Sequence, residues 1–388
     1  MPDVSSRVRG LVIPPFDVLN QKAAALRRQG HDIISLGQAM PGFGPPASAI
    51  DAARRALTDA ATHRYSADAG LLTLREALCG AFESERATDV LPDEIIITAG
   101  GNQAFMLAVM TLIDPGDEVV LAAPYFVNHE MAIRAVGGTP IEAPLQESVG
   151  FSARWSDIAS YITARTRAVV LCTPSNPTGA VVGRNELARI VRELAERGIL
   201  LVSDETYLHF VYDATHASAA SVEGWRRNVV VVGTFSKSFG MTGWRAGYFL
   251  ADRDVCSQAI KIQDAMIICA PVISQIAAEA AVRDNWNYAR SFHDELRARR
   301  TALEEGLAAI PGLQWSPTSG GFFAFVRVNG CRDSMALADD ILDKAHVITI
   351  PGATFGGSGE GFLRLSYGAS SVVELTEACA RLRRFFLN

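Results

Sequence analysis

A run of four valines at positions 229–232 is the feature that most constrains what this chain can fold into. An unbroken series of β-branched apolar residues is typical of a strand that is buried on both faces of a parallel sheet. Similar short apolar runs recur along the chain, and helical segments lie between most of them. The predicted strands are 95–98, 118–122, 139–142, 168–173, 200–203, 229–234 and 247–251. This alternation predicts an α/β fold with a mainly parallel, seven-stranded sheet between helices.

The two ends of the chain differ in pattern from its middle. Near the N-terminus the sequence predicts a helix at 18–29 and a short strand at 33–36, ahead of a stretch rich in Pro and Gly. Towards the C-terminus the predicted elements are a long charged helix at 288–309, strands at 322–328, 347–350 and 362–366, and helices at 334–344 and 372–387. We therefore expect an N-terminal arm that completes a small domain (1–45), a large domain (46–285) and a small C-terminal α+β domain (286–388).

Composition argues against several classes of function. The 388 residues carry a formal net charge of −6, with Lys and Arg interspersed, which disfavours nucleic acid as a partner. No apolar run has the length that crosses a bilayer, and the N-terminus lacks the apolar segment of a signal peptide. The six cysteines and seven histidines show no metal-ligand spacing. They predict reduced thiols in a cytoplasmic protein without a metal site.

Lys237 follows the valine-rich strand within the segment TFSKSFGMTGWRAG. Taken alone, a lysine in a loop is most commonly an exposed surface residue. At the end of a buried strand, however, burial and nearby cations lower the pKa of a lysine and free its neutral amine to form an imine. The hydroxyls of Thr234 and Ser236, the surrounding glycines and Arg245 predict a phosphate site around an imine-forming lysine.

Further candidate residues follow other predicted strands, at the carboxyl ends where parallel α/β sheets bind their ligands. Gly100 and Gly101 open a helix and offer backbone N–H groups to an anion, although a plain tight turn would use the same residues. Phe126 could lie flat on a cofactor ring or pack in the core. The amide, carboxylate and phenol candidates are Asn176, Asp204 and Tyr207. Together with an imine-forming lysine, this set predicts a site for pyridoxal 5'-phosphate (PLP).

The chain resembles the fold-type I, class I and II aminotransferases over essentially its whole length. The lysine signature of that family, S-x-S-K-x-x-x-x-x-G-x-R-x-G, is matched by TFSKSFGMTGWRAG, with Thr234 in place of the first Ser. Three further family blocks are matched by SNPTG at 175–179, DETY at 204–207 and FLRLSYG at 362–368. The resemblance implies a PLP-dependent aminotransferase in which residues 46–285 form the PLP-binding domain.

The resemblance also implies a role for each residue around the cofactor. Lys237 would bind PLP as an imine and then move the substrate proton, and Asp204 would pair with the pyridinium nitrogen. Asn176 and Tyr207 would hold the ring oxygen, and Phe126 would stack on the ring. The phosphate would be surrounded by Gly100, Gly101, Asn102, Thr234, Ser236 and Arg245.

Two further residues extend the implied site beyond the cofactor. Arg364 would grip the substrate α-carboxylate as a bidentate fork, helped by the Gly37 backbone and the Asn176 amide. Tyr65, in the pattern Y-x-x-x-x-G-x-x-x-L-R, would reach the phosphate of a neighbouring subunit. The resemblance therefore predicts a homodimer with shared active sites.

Substrate preference is indicated less directly. LGQAMPGFGPP resembles the opening of kynurenine and glutamine/phenylpyruvate-type enzymes, and TAGGNQAF and PYFVNHEMA resemble plant-type aromatic and methionine aminotransferases. Ala39 and Gly42 depart from the usual Gly and Asp, and Asn102 stands where some aspartate-specific relatives carry Lys. The sequence places no obvious arginine to receive a distal carboxylate. We therefore expect transamination between an aromatic amino acid or methionine and a 2-oxo acid.

Several alternatives stay open from the sequence. An aspartate- or glutamine-type aminotransferase, a C–S β-lyase and an amino-acid oxidase of a biosynthetic pathway would use the same scaffold. A non-enzymatic regulator would need a fused helix-turn-helix segment, for which 388 residues leave no room. The glycine run at 356–361 lacks the GxGxxG spacing of a dinucleotide site, and Lys237 lacks the preceding glycines of a P-loop. His129 and Glu130 are predicted to lie on an ordinary helix surface.

Overall fold

A computed structural model describes residues 3–86, 88–317 and 319–387. In chain order, the strands of these residues are β1 (Ile34–Ser35), β2 (Ile95–Thr98), β3 (Glu118–Ala123), β4 (Thr139–Pro144), β5 (Thr166–Cys172), β6 (Leu200–Asp204), β7 (Val229–Thr234), β8 (Gly247–Leu250), β9 (Leu313–Gln314), β10 (Phe323–Val328), β11 (Val347–Ile348), β12 (Ile350–Pro351) and β13 (Phe362–Ser366). Seven of them form one sheet in the order β2-β8-β7-β6-β5-β3-β4. The pairs β3–β4, β3–β5, β5–β6 and β6–β7 are parallel, whereas β8 runs antiparallel to both of its neighbours. The predicted α/β fold with a mainly parallel, seven-stranded sheet is confirmed.

The valine run in β7 explains why both faces of the large sheet are covered. Successive side chains of a strand point to opposite faces, and in β7 both faces are buried. Val229 and Val231 belong to one apolar cluster, and Val230 and Val232 belong to another on the opposite face. A strand without alternation is therefore stable only between two layers of helices.

Helices surround the sheets. Within the described residues they are α1 (Ser6–Arg9), α2 (Phe16–Arg28), α3 (Ala47–Ala56), α4 (Leu72–Arg86), α5 (Gly101–Leu112), α6 (Val127–Ala135), α7 (Trp155–Ala159), α8 (Arg184–Glu196), α9 (Phe235–Ser238), α10 (Arg253–Ile267), α11 (Val272–Asn285), α12 (His293–Ala308), α13 (Ser334–Ala345) and α14 (Val372–Leu387). None of the helices in the described ranges is both long and apolar enough to cross a membrane.

A second core joins the two ends of the chain. Its main sheet has the order β12-β13-β10-β9, and β1 pairs in parallel with β11. Ile34 and Leu36 from the N-terminal segment share an apolar cluster with Val347, Leu365 and Leu382 from the C-terminal segment. This shared core supports the predicted assignment of residues 1–45 to the small domain, and the domain boundaries stay a prediction.

Two predicted elements near the C-terminus are divided in the structure. The helix predicted at 288–309 begins as a short 3-10 turn, Tyr288–Phe292, and becomes α-helical only from His293. In that turn the Tyr288 and Phe292 rings both pack on Phe43, with the Phe292 ring stacked at 4.0 Å. The strand predicted at 347–350 splits because β11 pairs with β1 whereas β12 pairs with β13.

The sequence analysis missed two long helices, because it assigned no element to residues 252–280. These are α10 and α11, and α11 packs closely against α3. The buried face of α11 consists largely of small and polar residues, including Gln275, Ala277, Ala278 and Ala281. Such a face lacks the spaced large apolar residues that mark an amphipathic helix.

Candidate active site

A cavity of about 400 Å³ opens where the parallel strands of the large sheet end. Twelve of the predicted site residues line it: Gly37, Gly101, Asn102, Phe126, Asn176, Asp204, Tyr207, Thr234, Ser236, Lys237, Arg245 and Arg364. Two predicted residues do not line it. Gly100 packs beneath Arg245 at its rim, and Tyr65 lies on the surface with 77 % of its area exposed. The structure therefore brings together residues that are more than 300 positions apart in the sequence.

Lys237 is presented by the single turn α9, directly after β7. Thr234 caps this turn, because its hydroxyl accepts a hydrogen bond from the Ser236 N–H at 3.1 Å. The Lys237 ammonium donates to the carbonyl of Ala39 at 2.6 Å. Burial, together with the positive charges of Arg364 and Arg245, lowers the pKa of Lys237 to about 8, although Asp204 opposes this shift. On the order of a fifth of this amine is therefore neutral near physiological pH, far more than for an ordinary lysine.

His129 lies in the site, and the prediction that it occupies an ordinary helix surface is wrong. Helix α6 directs its side chain towards the sheet, where 2 % of the residue is exposed. Its ring stacks on Phe105 with 4.2 Å between centroids and meets the edge of Phe126 at 5.5 Å. The His129 Nε2 donates to Asp204 Oδ2 at 3.0 Å. A carboxylate at the floor of the cavity thus has a buried imidazole behind it.

Asp204 ends β6 with its carboxylate facing the cavity. Burial by itself would raise the pKa of Asp204, but the hydrogen bond and electrostatic attraction of His129 oppose it. The Thr206 N–H also donates to Asp204 Oδ1 at 2.9 Å. The combined effect holds the pKa of Asp204 below its usual value, so this buried group stays ionised.

Asn176 connects the phenol of Tyr207 to the guanidinium of Arg364. Its amide nitrogen donates to the Tyr207 hydroxyl at 3.5 Å, and its amide oxygen accepts from Arg364 Nη1 at 2.9 Å. Burial raises the pKa of Tyr207 well above its usual range and keeps the phenol protonated. The Asn176 side chain is therefore oriented from both ends.

Arg364 projects from β13 and is 1 % exposed. Arg364 Nη2 donates to the carbonyl of Gly37, and the rings of Phe16, Phe323 and Phe355 lie 5.0 to 5.6 Å from its central carbon. Burial lowers the pKa of Arg364 to about 10, so it stays charged at neutral pH. Its Nε is buried and has no hydrogen-bond partner among the described residues. A buried guanidinium with neutral oxygen partners and a spare donor is suited to bind a carboxylate.

Hydrogen-bond donors suited to an anion lie at the opposite end of the cavity. Gly101 begins α5, Gly100 precedes it with φ +89°, and Arg245 has φ +52°. The φ of Gly100 favours glycine, and a Cβ added there would lie 2.4 Å from Arg245 Nη2 and displace the guanidinium from the helix start. A helix N-terminus, two hydroxyls and an arginine form a fitting cradle for a phosphate group.

Two side chains that the sequence analysis did not single out support this cradle. Gln103 accepts a hydrogen bond from the Ala99 N–H and donates to Gln263 Oε1 at 2.8 Å. Gln263, which is fully buried, donates to the Ile97 carbonyl at 3.1 Å. Both glutamines thereby fix the loop between β2 and α5. Helical spacing shows that Gln103 lies near the helix start, but no sequence signal links it to Gln263, 160 residues away.

The residues present fit PLP. A buried carboxylate that stays ionised lies at the cavity floor, an amine with lowered pKa lies beside it, and the glycine-bounded cradle suits a phosphate. Phe126, which begins the turn into α6, lines the same cavity. Groups of three or more side chains able to hold a metal ion do not occur among the residues of the described ranges.

Comparison with known proteins places these features in context. The model of the family "Aminotransferase class I and II" matches residues 31–382. The probable aspartate/prephenate aminotransferase of Aquifex aeolicus is 34 % identical over 98 % of both chains. Aromatic-amino-acid aminotransferase 2 of Thermococcus litoralis is also 34 % identical, over 91 % of both chains. The structure of Thermus thermophilus aspartate aminotransferase with maleate has a TM-score of 0.92 at 34 % identity, covering 99 % of this chain and 100 % of the other.

These relatives differ in the substrates that their names state. Proteins named for aspartate or prephenate and proteins named for aromatic amino acids are about equally similar to this chain. Overall identity therefore does not separate the two substrate groups.

Proposed function

This chain belongs to the class I and II aminotransferase family, and we propose that it transfers the amino group of an aromatic amino acid or methionine to a 2-oxo acid. The observation that carries the proposal is the composition of one cavity. It contains a lysine whose pKa is lowered to about 8, a buried ionised aspartate and a buried arginine. The family and fold imply PLP as the cofactor.

PLP, when bound, supplies an aldehyde and an electron-withdrawing ring that acidifies the α-hydrogen of an amino acid. Asp204 would hold the ring nitrogen in its protonated form, because a carboxylate kept ionised by His129 favours the positive charge. Asn176 and Tyr207 would donate to the ring oxygen. The start of α5, Thr234, Ser236 and Arg245 would bind the phosphate.

Lys237 would form the covalent link to the cofactor and transfer the substrate proton. A base works best when its pKa lies near the operating pH, and a value of about 8 meets this condition. The Lys237 ammonium contacts the Ala39 carbonyl, and this neutral acceptor stabilises the protonated form less than a carboxylate would. Burial beside two arginines is therefore the physical basis of its reactivity.

Arg364 would bind the carboxylate that an amino acid and its 2-oxo acid share. Asn176 and Gly37 each hold one terminal nitrogen, so the guanidinium plane is fixed before substrate arrives. Such preorganisation reduces the entropy lost on binding. The same residue would thus serve both half-reactions.

The cavity favours a neutral or apolar substrate side chain. The lysine and arginine side chains that line it among the described residues are Lys237, Arg245 and Arg364, and each already has a proposed role. Asn102 is uncharged, and Phe16 and Met40 add apolar surface. No lining cation of the described chain remains for a distal carboxylate, which supports aromatic amino acids or methionine over aspartate.

A donor panel tests this proposal. kcat/KM should be higher for Phe, Trp or Met than for Asp or Gln, with pyruvate, a 2-oxo acid without a second carboxylate, as acceptor. A strong preference for aspartate, as in the names of several relatives, would overturn the substrate assignment. Release of pyruvate from cysteine conjugates without any 2-oxo acid would instead identify a C–S β-lyase. Lys237→Ala should abolish turnover while PLP stays bound through its other contacts.

We also propose a homodimer in which Tyr65 reaches the phosphate of the neighbouring active site. Its exposed fraction of 77 % leaves the ring available to a second subunit. Tyr65→Phe should weaken PLP binding, and mixed dimers with Lys237→Ala would reveal whether the site is shared.

All six cysteines are free thiols, which supports the expected cytoplasmic location. The division into residues 1–45, 46–285 and 286–388 remains part of this proposal.

A further inference from the structure

The glycine-rich segment 352–361 has no part in the chemistry described so far. It folds into two consecutive 3-10 turns, Gly352–Phe355 and Gly357–Gly359. A Cβ added at Gly352 would lie only 2.0 Å from the carbonyl oxygen of Gly359, so the two turns pack backbone to backbone. Glycine is therefore used here for close approach and not for binding a dinucleotide.

These turns enclose a carboxylate from the large sheet. Gly357 N–H donates to Glu142 Oε2 at 2.9 Å, and Ser358 N–H donates to Glu142 Oε1 at 2.6 Å. The Ser358 hydroxyl donates to the same oxygen. Successive backbone N–H groups in such a turn form an anion-binding concavity. In this protein the anion is Glu142 of β4, so the segment is tied to the large sheet by three hydrogen bonds.

A second contact links the same segment to the strand end beside the cavity. Tyr125 N–H donates to the Phe355 carbonyl at 3.0 Å. Gly356 has φ +102°, and a Cβ there would lie 2.8 Å from the Tyr125 ring and 3.0 Å from Glu142 Oε2. The glycine thus lets Tyr125 and Glu142 approach the turn together.

Phe355 connects the glycine-rich turns to Arg364, the residue proposed to bind the substrate carboxylate. Its side chain is fully buried, and the centre of its ring lies 5.0 Å from the Arg364 guanidinium carbon. Ile350, two residues before the turns, pairs with Arg364 across β12 and β13. The backbone that surrounds Arg364 is therefore held on one side by its own sheet and on the other by Glu142.

We propose that Glu142 is a positioning residue for Arg364, acting through residues 355–358; this inference rests on the proposed function. The Glu142 carboxylate fixes the turns against the large sheet, and Phe355 in turn limits where the Arg364 guanidinium can lie. Within the described residues, the Glu142 carboxylate is hydrogen-bonded to Gly357 and Ser358, and no hydrogen bond joins it to a proposed cofactor-binding side chain. Loss of this carboxylate should therefore weaken carboxylate binding without weakening PLP binding.

Three variants test the role of Glu142. Glu142→Ala removes both acceptors, and Glu142→Gln keeps one of them without the charge. The matched control is Glu147→Gln, because Glu147 also pairs with a residue of the smaller sheet, Arg327, but both side chains are exposed by about 40 %. In the described part of the chain, no hydrogen bond joins either side chain to the glycine-rich turns. Thermal unfolding of each variant shows whether it is folded.

Substrate kinetics and binding provide the decisive measurements. In Glu142→Ala the KM for phenylalanine and for pyruvate should rise together by about tenfold, which corresponds to the loss of one charge-assisted hydrogen bond between Arg364 and the substrate carboxylate. Glu142→Gln should give a smaller rise, kcat and PLP affinity should change little, and Glu147→Gln should match wild type. Unchanged KM values in a folded Glu142→Ala, or equal losses of kcat and PLP affinity, would overturn the inference.

Two readouts separate this inference from the proposed function. Calorimetric titration of the protein with phenylpyruvate measures carboxylate binding without turnover, and Glu142→Ala should weaken it by the same factor. Amide hydrogen exchange in residues 352–361 should accelerate in Glu142→Ala and not in Glu147→Gln, with or without PLP. Absence of transamination in wild type would refute the proposed function alone. Unchanged exchange and unchanged phenylpyruvate binding in Glu142→Ala would refute the positioning role.

Discussion

Replacing His129 with phenylalanine should remove the main support of the Asp204 carboxylate while keeping an aromatic ring against Phe105. The hydrogen bond is 3.0 Å long and both partners are buried. A hydrogen bond to a charged group is worth about 1.5–3 kcal/mol. Since about 1.4 kcal/mol corresponds to a tenfold change in an equilibrium constant, PLP affinity should fall roughly 10- to 100-fold.

A double-mutant cycle separates the hydrogen bond from packing. PLP affinity would be measured by absorbance titration of the cofactor-free protein for wild type, His129→Phe, Asp204→Asn and the double variant. If His129 acts through the Asp204 charge, His129→Phe should change affinity strongly in wild type and little in the Asp204→Asn background. Equal effects in both backgrounds would show that His129 contributes packing alone, and the electrostatic reasoning would be refuted.

The same pair predicts how stability depends on pH. Because the pKa of Asp204 is lowered in the folded protein, its contribution to the free energy of unfolding is present above the unfolded pKa of about 4 and is lost as pH falls through the lower folded value. The stability difference between wild type and His129→Phe should therefore be largest near pH 7. It should shrink below about pH 4 in urea unfolding experiments. A difference that stays constant with pH would contradict the assignment.

Three further predictions concern the rest of the cavity. Loading of PLP onto cofactor-free protein should accelerate as pH rises through about 8, because only the neutral amine of Lys237 would condense with the aldehyde, with loss of water. A midpoint near 10.5 would contradict the lowered pKa of Lys237. Arg364→Lys keeps the charge but loses the bidentate hydrogen bonding of the guanidinium to a carboxylate. The steady-state KM for donor and acceptor should therefore rise together by about tenfold or more. Gly100→Ala places a Cβ 2.4 Å from Arg245 at φ +89°. Strain of about 1–3 kcal/mol should lower PLP affinity, as measured by titration, whereas Gly243→Ala, with open space around it, should not.

Most of the site could be predicted because it follows from local patterns and one topological rule. Asp204 ends a buried strand, and Asn176 and Lys237 each follow one within a few residues. The carboxyl ends of parallel strands share one edge of a sheet. The sequence alone therefore indicates that these side chains lie together. It does not indicate which hydrogen bonds they make, since those depend on distances between segments.

His129 shows where sequence reasoning fails. It lies three residues after Phe126, and this spacing would have placed both on one face of a helix. Whether that face meets solvent or the sheet depends on the direction of α6, which Phe105 and Asp204 determine from 24 and 75 positions away. Helix α11 was missed for a related reason, because its buried face uses Gln275 and alanines whose burial only the packing against α3 explains.

The phosphate cradle depends on a feature of the sheet that no local pattern contains. Gly100 and Gly101 follow β2 whereas Thr234 ends β7, and β8 lies between these two strands. Because β8 runs antiparallel to both, its first residue, Gly247, lies opposite Thr98 and Thr234 at the edge where its neighbours end. Arg245, two residues earlier, is thereby delivered to the same edge. A Cβ at Gly247 would lie 2.7 Å from the Gly100 carbonyl carbon and from the Gly233 oxygen, so glycine is required for the three strands to meet. A parallel β8 would have carried Arg245 to the opposite edge, away from the lysine. The reversal of one strand thus unites the arginine, the helix start and the lysine turn in one site.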